Sequence, residues 1–290
     1  MSSETVDKRL VRRAFNNAAA TYDAAAVLQH EVCKRMAERL DYIKHQPAVL
    51  LDAGSGTGNA LGRLRARYGD AHIVAFDIAH AMLEQARGRQ PWWRSLPGLR
   101  APLSHVCGDV ERLPFATASI DMVWSNLALQ WVNDLPATFK EIHRVLKPGG
   151  LLMFSTFGPD TLKELREAYA GSGYTHVNRF IDMHDIGDML TAARYADPVI
   201  DMEPFTLTYD TVRQLMHDLK SIGAHNVTGG RPQALSGKGL LRAVTAGYEL
   251  FRRDGKLPAT FEVVYGHAWK PEPRVSPTGR PVIDIAVKGR

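Results

Sequence analysis

The chain has little cysteine and no long apolar run, and both shortages exclude whole classes of protein. Only Cys33 and Cys107 occur among 290 residues, which is too few for a disulfide scaffold. We predict one on a helix and one in a buried strand, both as reduced packing residues of a cytoplasmic protein. No stretch approaches the roughly 20 apolar residues of a membrane span. Residues 1–9 place no apolar core after their charges, so we expect no secretion signal.

The sequence also lacks the usual signature of nucleic-acid binding. The net charge of +5 is modest, and no basic run carries interleaved aromatic residues. A positive surplus of this size favours an acidic partner instead, and a solvated basic face is the alternative for any single cluster. The basic groups that we expect to steer such a partner are Lys8 with Arg9, Arg12 with Arg13, and Arg242 with Arg252 and Arg253.

An apolar run that ends in an acid and three alternating glycines is the most informative segment of the chain. Residues 49–59 read VLLDAGSGTGN. Glycine tolerates positive φ in a tight strand-to-helix turn and lets a ligand lie against the peptide plane. Asn59 stands where a dinucleotide fingerprint needs glycine, and the lysine of a phosphate-binding loop is missing. The turn therefore favours a ligand that brings an amino acid and a ribose, with Asp52 near its ammonium end. An ordinary strand-to-helix turn is the alternative.

Two further predicted strands also end in an acid. Residues 72–78, HIVAFDI, carry Asp77, and residues 103–110, LSHVCGDV, carry Asp109. The first carboxylate can accept both hydroxyls of a ribose, and the second can accept an adenine amino group. Open parallel sheets bind ligands at the carboxyl ends of their strands. We therefore expect the acids of these three strands to converge on one site.

Taken in order, these motifs resemble a known class of enzyme. The glycine turn, Asp77 and residues 108–115, 120–126 and 146–152 are similar to the successive motifs of class I S-adenosylmethionine-dependent methyltransferases. The resemblance implies an α/β fold, with a Rossmann-like seven-stranded sheet, helices on both faces and a helical lid insertion. It implies S-adenosylmethionine as cofactor and no metal. The implied cofactor contacts are Asp52, Gly54, Gly56, Gly58, Asp77, Ile78, Met82, Asp109, Val110 and Asn126.

The segments divide the chain into five parts. Residues 1–46 are predicted to form a helical cap, in which Phe15, Tyr22 and Gln29 recur every seven positions and share one helix face. The cap is followed by a cofactor-binding core over 47–157 and by a lid insertion with a core strand over 158–230. The chain then completes the core over 231–270 and ends in a proline-rich tail over 271–290. The predicted helices after the core are 136–147, 159–170, 182–194, 211–223 and 240–253, and the late strands are 151–156, 198–209, 260–269 and 282–287.

Three segments resemble one family within this class. Residues 125–131, 154–166 and 218–226 are closely similar to malonyl-acyl carrier protein O-methyltransferases of biotin synthesis. The resemblance implies methylation of the free malonyl carboxylate on an acidic carrier protein, or on malonyl-coenzyme A. A carboxyl group with a reference pKa near ~4 is already ionised at neutral pH, so we expect no catalytic base. The expected substrate-positioning residues are Tyr22, Gln130, Trp131, Arg166, His225 and Asn226.

Other functions stay open. Residues 129–136 and 158–162 also resemble a mitochondrial complex I assembly factor that hydroxylates a protein arginine, but an Arg-rich, acid-poor transit segment is missing. Another small-molecule O-methyltransferase would carry the same cofactor motifs. A non-catalytic binding protein on this scaffold would be free to lose the three glycines and three acids that are retained here.

Overall fold

One mixed sheet organises the protein. A computed structural model describes residues 5–89, 102–170, 180–223 and 238–273. Within them the seven strands follow the order β3-β2-β1-β4-β5-β7-β6. β1 to β5 run parallel, and β7 is antiparallel to both of its neighbours. The predicted Rossmann-like α/β fold is confirmed. The strands are β1 Val49–Ala53, β2 His72–Asp77, β3 Leu103–Cys107, β4 Ile120–Ser125, β5 Leu146–Phe157, β6 Ala196–Tyr209 and β7 Leu257–Trp269.

Helices cover both faces of the sheet. α6 and α8 pack into one apolar cluster, whereas α3, α4, α7 and α9 pack into the cluster on the opposite face. The central strands β1 and β4 are buried along almost their whole length because helices cover both of their faces. The helices are α1 Lys8–Ala18, α2 Tyr22–Ala25, α3 Val27–Arg39, α4 Leu61–Arg67, α5 His80–Gly88, α6 Leu135–Val145, α7 Lys163–Ala168, α8 Met183–Ala192, α9 Val212–Ser221 and α10 Lys238–Glu249.

The N-terminal cap is three helices rather than one continuous face. α1 ends at Ala18, and Ala26 leaves helical geometry at φ −83° and ψ 37° between α2 and α3. The seven-residue spacing therefore does not describe a single helix. Phe15, Tyr22 and Gln29 nevertheless line the same cavity, because the breaks fold the three helices around it.

Two predicted boundaries near the site were wrong for identifiable reasons. β5 begins at Leu146 rather than at residue 151, because Leu146 pairs with Ile120 of β4, and Gly149 and Gly150 exchange backbone hydrogen bonds with Lys270 beyond β7. α7 begins at Lys163 rather than at residue 159, because the amide of Leu162 donates to Thr260 and holds the preceding residues along β7. Pairing to β7 thus overrides the local helix and turn signals.

Other differences concern placement rather than type. The late strand β7 lies inside the sheet, and β6 forms its edge. α8 packs against α6 on the far face through Ile186 and Leu190, so only part of the 158–230 insertion faces the site. Cys33 is buried as predicted, but Cys107 is exposed because it ends the edge strand β3. The predicted strand at 282–287 lies outside the described residues. Among the described helices, none is long and apolar enough to cross a membrane.

Candidate functional site

The glycine turn sits at the carboxyl end of β1, and its first and third glycines have no space for a side chain. The amides of Gly54 and Ser55 both donate to the Phe76 carbonyl, at 2.8 and 3.0 Å. Gly54 has φ +85°, and a Cβ there would lie 2.2 Å from the Cβ of Ala128. A larger residue would therefore clash with the loop after β4. Gly58, at φ +83°, instead allows the turn to pack closely against α5 at Ala86.

Asp77 fixes this turn and faces the cavity beside it. Its Oδ2 accepts from the Gly56 amide at 2.9 Å, and its Oδ1 accepts from the Ala79 amide at 2.8 Å. Burial raises the pKa of Asp77 to about 6, while these amide donors pull it down. The carboxylate thus organises the loops at the ends of two neighbouring strands.

Asp52 lies beneath the turn and does not line the cavity. Its side chain is 1% exposed, and its Oδ2 has no hydrogen-bond partner among the described residues. Burial raises its pKa to about 7, and the neighbouring charge of Asp77 adds to the rise. Two buried acids close together favour a ligand that carries positive charge. Contact between Asp52 and a ligand ammonium group stays a prediction.

Asp109 has a partner that the motif analysis did not anticipate. Lys8 Nζ lies 3.1 Å from Asp109 Oδ1 and 3.2 Å from Glu111 Oε1. Both Lys8 and Asp109 line the cavity. These ion pairs hold α1 across the end of β3. The charge of Lys8 is therefore paired within the protein and is not available to attract a partner.

The cavity at the strand ends, hereafter the cofactor cavity, collects most of the predicted cofactor contacts. Asp52 and Gly58 stand behind its surface. The predicted cofactor residues that line it are Gly54, Gly56, Asp77, Ile78, Met82, Asp109, Val110 and Asn126. Backbone approach at the glycines, two carboxylates and apolar walls suit a ligand with an amino acid, a ribose and an adenine. The residues present therefore fit S-adenosylmethionine.

A second cavity of about 490 Å³ adjoins the cofactor cavity. The two share a set of lining residues, hereafter the junction. None of these side chains ionises near neutral pH. The junction consists of Gln29, Gln130, Trp131, Phe157 and Ile222.

A hydrogen-bond network connects the backbone carbonyl of Gln29 to the side chain of Gln130. Asn126 Nδ2 donates to the Gln29 carbonyl at 3.1 Å, and Ser155 Oγ donates to Asn126 Oδ1 at 3.0 Å. The Leu127 amide donates to Ser155 Oγ at 3.0 Å, and Gln130 Nε2 donates to the Leu127 carbonyl at 2.6 Å. Leu127 itself has φ +47°. Such left-handed backbone in a residue with a side chain is concentrated at functional sites.

The structure places the predicted substrate-positioning residues in different surroundings. Tyr22, Gln130 and Trp131 line the cofactor cavity, and Trp131 packs edge-on against Phe15 with ring centroids 5.4 Å apart. Burial, followed by the charge of Asp77, raises the pKa of Tyr22 well above its ordinary range, so its hydroxyl stays protonated. Arg166 lines neither cavity. Its Nη2 donates to the carbonyls of Pro159 and Thr161, at 2.7 Å each. His225 and Asn226 lie outside the described residues.

Motif analysis missed Phe157 and Ile222 of the junction and the partner role of Lys8. Phe157 is the last residue of a buried strand, and Ile222 follows α9, so neither carries a chemical signal in the sequence. The seven-residue recurrence of Phe15, Tyr22 and Gln29 was a usable signal for the cap.

Comparison with known proteins supports the class that this geometry indicates. Residues 51–154 match a family model described as a methyltransferase domain. A solved structure of a putative methyltransferase from Bacillus halodurans has a similar fold, with a TM-score of 0.56 at 18% identity over 81% of this chain and 97% of that one. The fold and site define a class I S-adenosylmethionine-dependent methyltransferase, with S-adenosylmethionine as its methyl donor.

Curated relatives identify the family within this class. The chain is 59% identical to the malonyl-acyl-carrier protein O-methyltransferase of Gallionella capsiferriformans, over 99% of both chains. It is 58% identical to the protein of the same name from Nitrosospira multiformis, over 93% of this chain and 92% of the relative. The chain belongs to the malonyl-acyl-carrier protein O-methyltransferase family.

Proposed function

We propose that this protein transfers the methyl group of S-adenosylmethionine to the free carboxylate of a malonyl thioester on an acyl carrier protein. The product is the methyl ester that primes pimeloyl synthesis for biotin. The junction is the observation that carries the proposal, because it connects two cavities without any residue that can act as a base. A carboxylate with a reference pKa near ~4 needs none. Family membership supports malonyl as the acyl group.

The reaction is a direct substitution at carbon. A carboxylate oxygen forms a bond to the methyl carbon as the bond from that carbon to sulfur breaks, and S-adenosylhomocysteine leaves. No proton moves. Bound S-adenosylmethionine supplies the electrophilic methyl group. Opposite charges are neutralised in the transition state, so exclusion of water and fixed orientation supply the rate. The apolar junction residues Trp131, Phe157 and Ile222 suit that requirement.

The chain's own residues then have distinct tasks. The Gly54 to Gly58 turn and Asp77 would hold the ribose and amino acid parts of S-adenosylmethionine, and the Asp109 carboxylate would accept from its adenine amino group. The Tyr22 hydroxyl, protonated and facing the cofactor cavity, donates a hydrogen bond to the substrate carboxylate. Its donation orients one carboxylate oxygen without removing the negative charge that attacks the methyl group.

An acidic carrier protein fits the distribution of charge on the surface. Arg9, Arg12 and Arg13 are exposed on α1 and make no ion pair within the described part of the chain. Arg252, by contrast, is paired with Glu249 and contributes little. The proposal includes a cytoplasmic location. It also includes a thioester carried on a carrier protein rather than on coenzyme A.

Labelled methyl donor tests the proposal. The purified protein is incubated with methyl-labelled S-adenosylmethionine and malonyl-acyl carrier protein, beside malonyl-coenzyme A and succinyl-acyl carrier protein. We expect label on the malonyl carrier, less on the coenzyme A thioester and least on the succinyl carrier. Absence of label from both malonyl thioesters would overturn the proposal. Family membership does not favour the arginine hydroxylase alternative, which would leave the methyl donor unconsumed.

A further inference from the structure

The second cavity is larger than the acyl group requires. Its volume of about 490 Å³ falls in the range of roughly 300–1,000 Å³ that holds drug-sized ligands. A malonyl group has three carbons, and its carboxylate must reach the junction. The thioester would therefore lie just inside the second cavity, with most of the volume left for whatever follows the sulfur.

Most of the wall of this cavity is apolar. α7 contributes Leu165, α9 contributes Met216 and Leu219, and the strands β6 and β7 contribute Leu207 and Phe261. This apolar part of the wall offers no partner for a second carboxylate or for a free diacid. It suits a long, uncharged chain.

Polar groups lie on the side of the cavity that α9 forms with β6. Asp218 lines the cavity with a side chain 47% exposed, and burial together with Asp218 raises the pKa of the neighbouring Tyr209 to about 12. Lys220 lines the same cavity, is exposed and has no ion-pair partner among the described residues. The cavity thus leads from the uncharged junction to an acceptor and a cation in contact with solvent.

We propose that the second cavity binds the pantetheine arm of an acyl thioester. The hydrocarbon of the arm packs on Leu165 and Leu219, an arm amide donates its N–H to Asp218, and Lys220 faces the phosphate at the outer end. The assignment rests on the proposed methyl transfer, because it takes the thioester as the substrate. It makes the arm, rather than the acyl group alone, a determinant of substrate choice.

Filling the cavity tests the assignment without turnover. Leu219→Trp narrows the cavity, whereas Thr191→Trp places the same side chain at an exposed position of α8, on the far face of the sheet. Binding of malonyl-acyl carrier protein is titrated in the presence of S-adenosylhomocysteine. We expect Leu219→Trp to weaken this binding by about tenfold or more. We expect Thr191→Trp to match the unaltered protein, and all three to bind S-adenosylhomocysteine within about twofold. Equal carrier binding by all three proteins would overturn the proposal.

Truncated substrates give a second test that needs no variant. Methylation of malonyl-pantetheine is compared with that of malonyl carried on a short thiol that lacks most of the arm. A kcat/KM lower by about tenfold or more for the short thioester supports arm binding, and equal values overturn it. The two proposals can be tested separately. If label transfer does not change with arm length or with Leu219→Trp, only the proposal of an arm site is wrong. If carrier binding depends on Leu219 but no label is transferred, only the proposal of methyl transfer is wrong.

Discussion

The Asp23 carboxylate accepts a hydrogen bond from the Thr57 hydroxyl, with Oδ1 and Oγ1 2.6 Å apart. Thr57 is buried inside the glycine turn, and Asp23 follows Tyr22 in the single turn of α2. The Arg89 guanidinium, just beyond α5, pairs with the same carboxylate. One side chain therefore fastens the helix that carries Tyr22 to the turn that holds the methyl donor.

Removal of this fastening should affect both cofactor binding and turnover. We expect Asp23→Ala to weaken S-adenosylmethionine binding by about fivefold, because a hydrogen bond of this kind contributes about 1 kcal/mol. We also expect kcat to fall, since Tyr22 loses its support. Calorimetric titration and steady-state rates measure the two effects. Asp188→Ala, at an exposed position of α8 on the far face of the sheet, is the matched control. If both variants bind the cofactor alike, Asp23 has no positioning role.

Asp77 is expected to be the strongest single contributor to cofactor binding. Asp77→Ala removes a charged acceptor and frees the Gly56 and Ala79 amides that it holds. The variant should bind S-adenosylmethionine about 1.5–3 kcal/mol more weakly. Titration with S-adenosylhomocysteine gives the same comparison without turnover. Unchanged affinity would mean that the ribose lies elsewhere.

The buried acids should make the ligand-free protein less stable as pH rises. Burial raises the pKa of Asp52 to about 7 and that of Asp77 to about 6, against about 3.9 in the unfolded chain. The folded protein therefore binds more protons than the unfolded chain between about pH 4 and pH 7, and its free energy of unfolding falls across that window.

Asp52→Asn isolates the larger of these two contributions. We expect the substitution to raise the free energy of unfolding by on the order of 4 kcal/mol at pH 8, and to change it by less than about 1 kcal/mol at pH 4. Urea denaturation followed by circular dichroism measures both. Asp188→Asn, whose carboxyl is exposed, should leave the pH profile unchanged. Parallel profiles for Asp52→Asn and the unaltered protein would show that Asp52 titrates normally.

Tyr22 is expected to act on the acceptor rather than on the donor. Tyr22→Phe keeps the ring in the cofactor cavity and removes only the hydroxyl. We expect kcat to fall by about tenfold, the equivalent of a hydrogen bond of ~1.4 kcal/mol to a charged group, with cofactor affinity unchanged within about twofold. Because burial and Asp77 keep the hydroxyl protonated, kcat of the unaltered protein should stay level from pH 7 to pH 9. If kcat instead declines over this range, and the decline is absent in Tyr22→Phe, the Tyr22 hydroxyl loses its proton there.

The cofactor half of the site was accessible from sequence because it follows strand ends. Asp77 and Asp109 stand at the carboxyl ends of parallel strands, and the sheet brings them to one edge whatever the intervening loops do. Glycine at residue 54 records a close approach to Ala128 that no other residue allows. Such constraints are local in sequence, so a motif captures them.

The second cavity was not accessible in this way. Its lining runs from Ala25 to Phe261, and its apolar residues have the same spacing as ordinary core residues of α7 and α9. The position of β7 between β5 and β6 brings those elements together. The order in which strands more than a hundred residues apart pair cannot be predicted from any one segment. Arg166 illustrates the same limit, because its sequence context suggests a carboxylate ligand whereas the fold gives it the carbonyls of Pro159 and Thr161.

A single-turnover experiment tests the central claim most directly. The protein is mixed with excess S-adenosylmethionine and limiting malonyl-acyl carrier protein, and the intact mass of the carrier is followed before and after cleavage of its thioester with neutral hydroxylamine. We predict that the carrier gains the mass of one methylene and that the whole gain leaves with the released acyl group, as expected of a methyl ester on the malonyl carboxylate. A carrier of unchanged mass, or a gain that stays on the carrier after cleavage, would contradict this prediction.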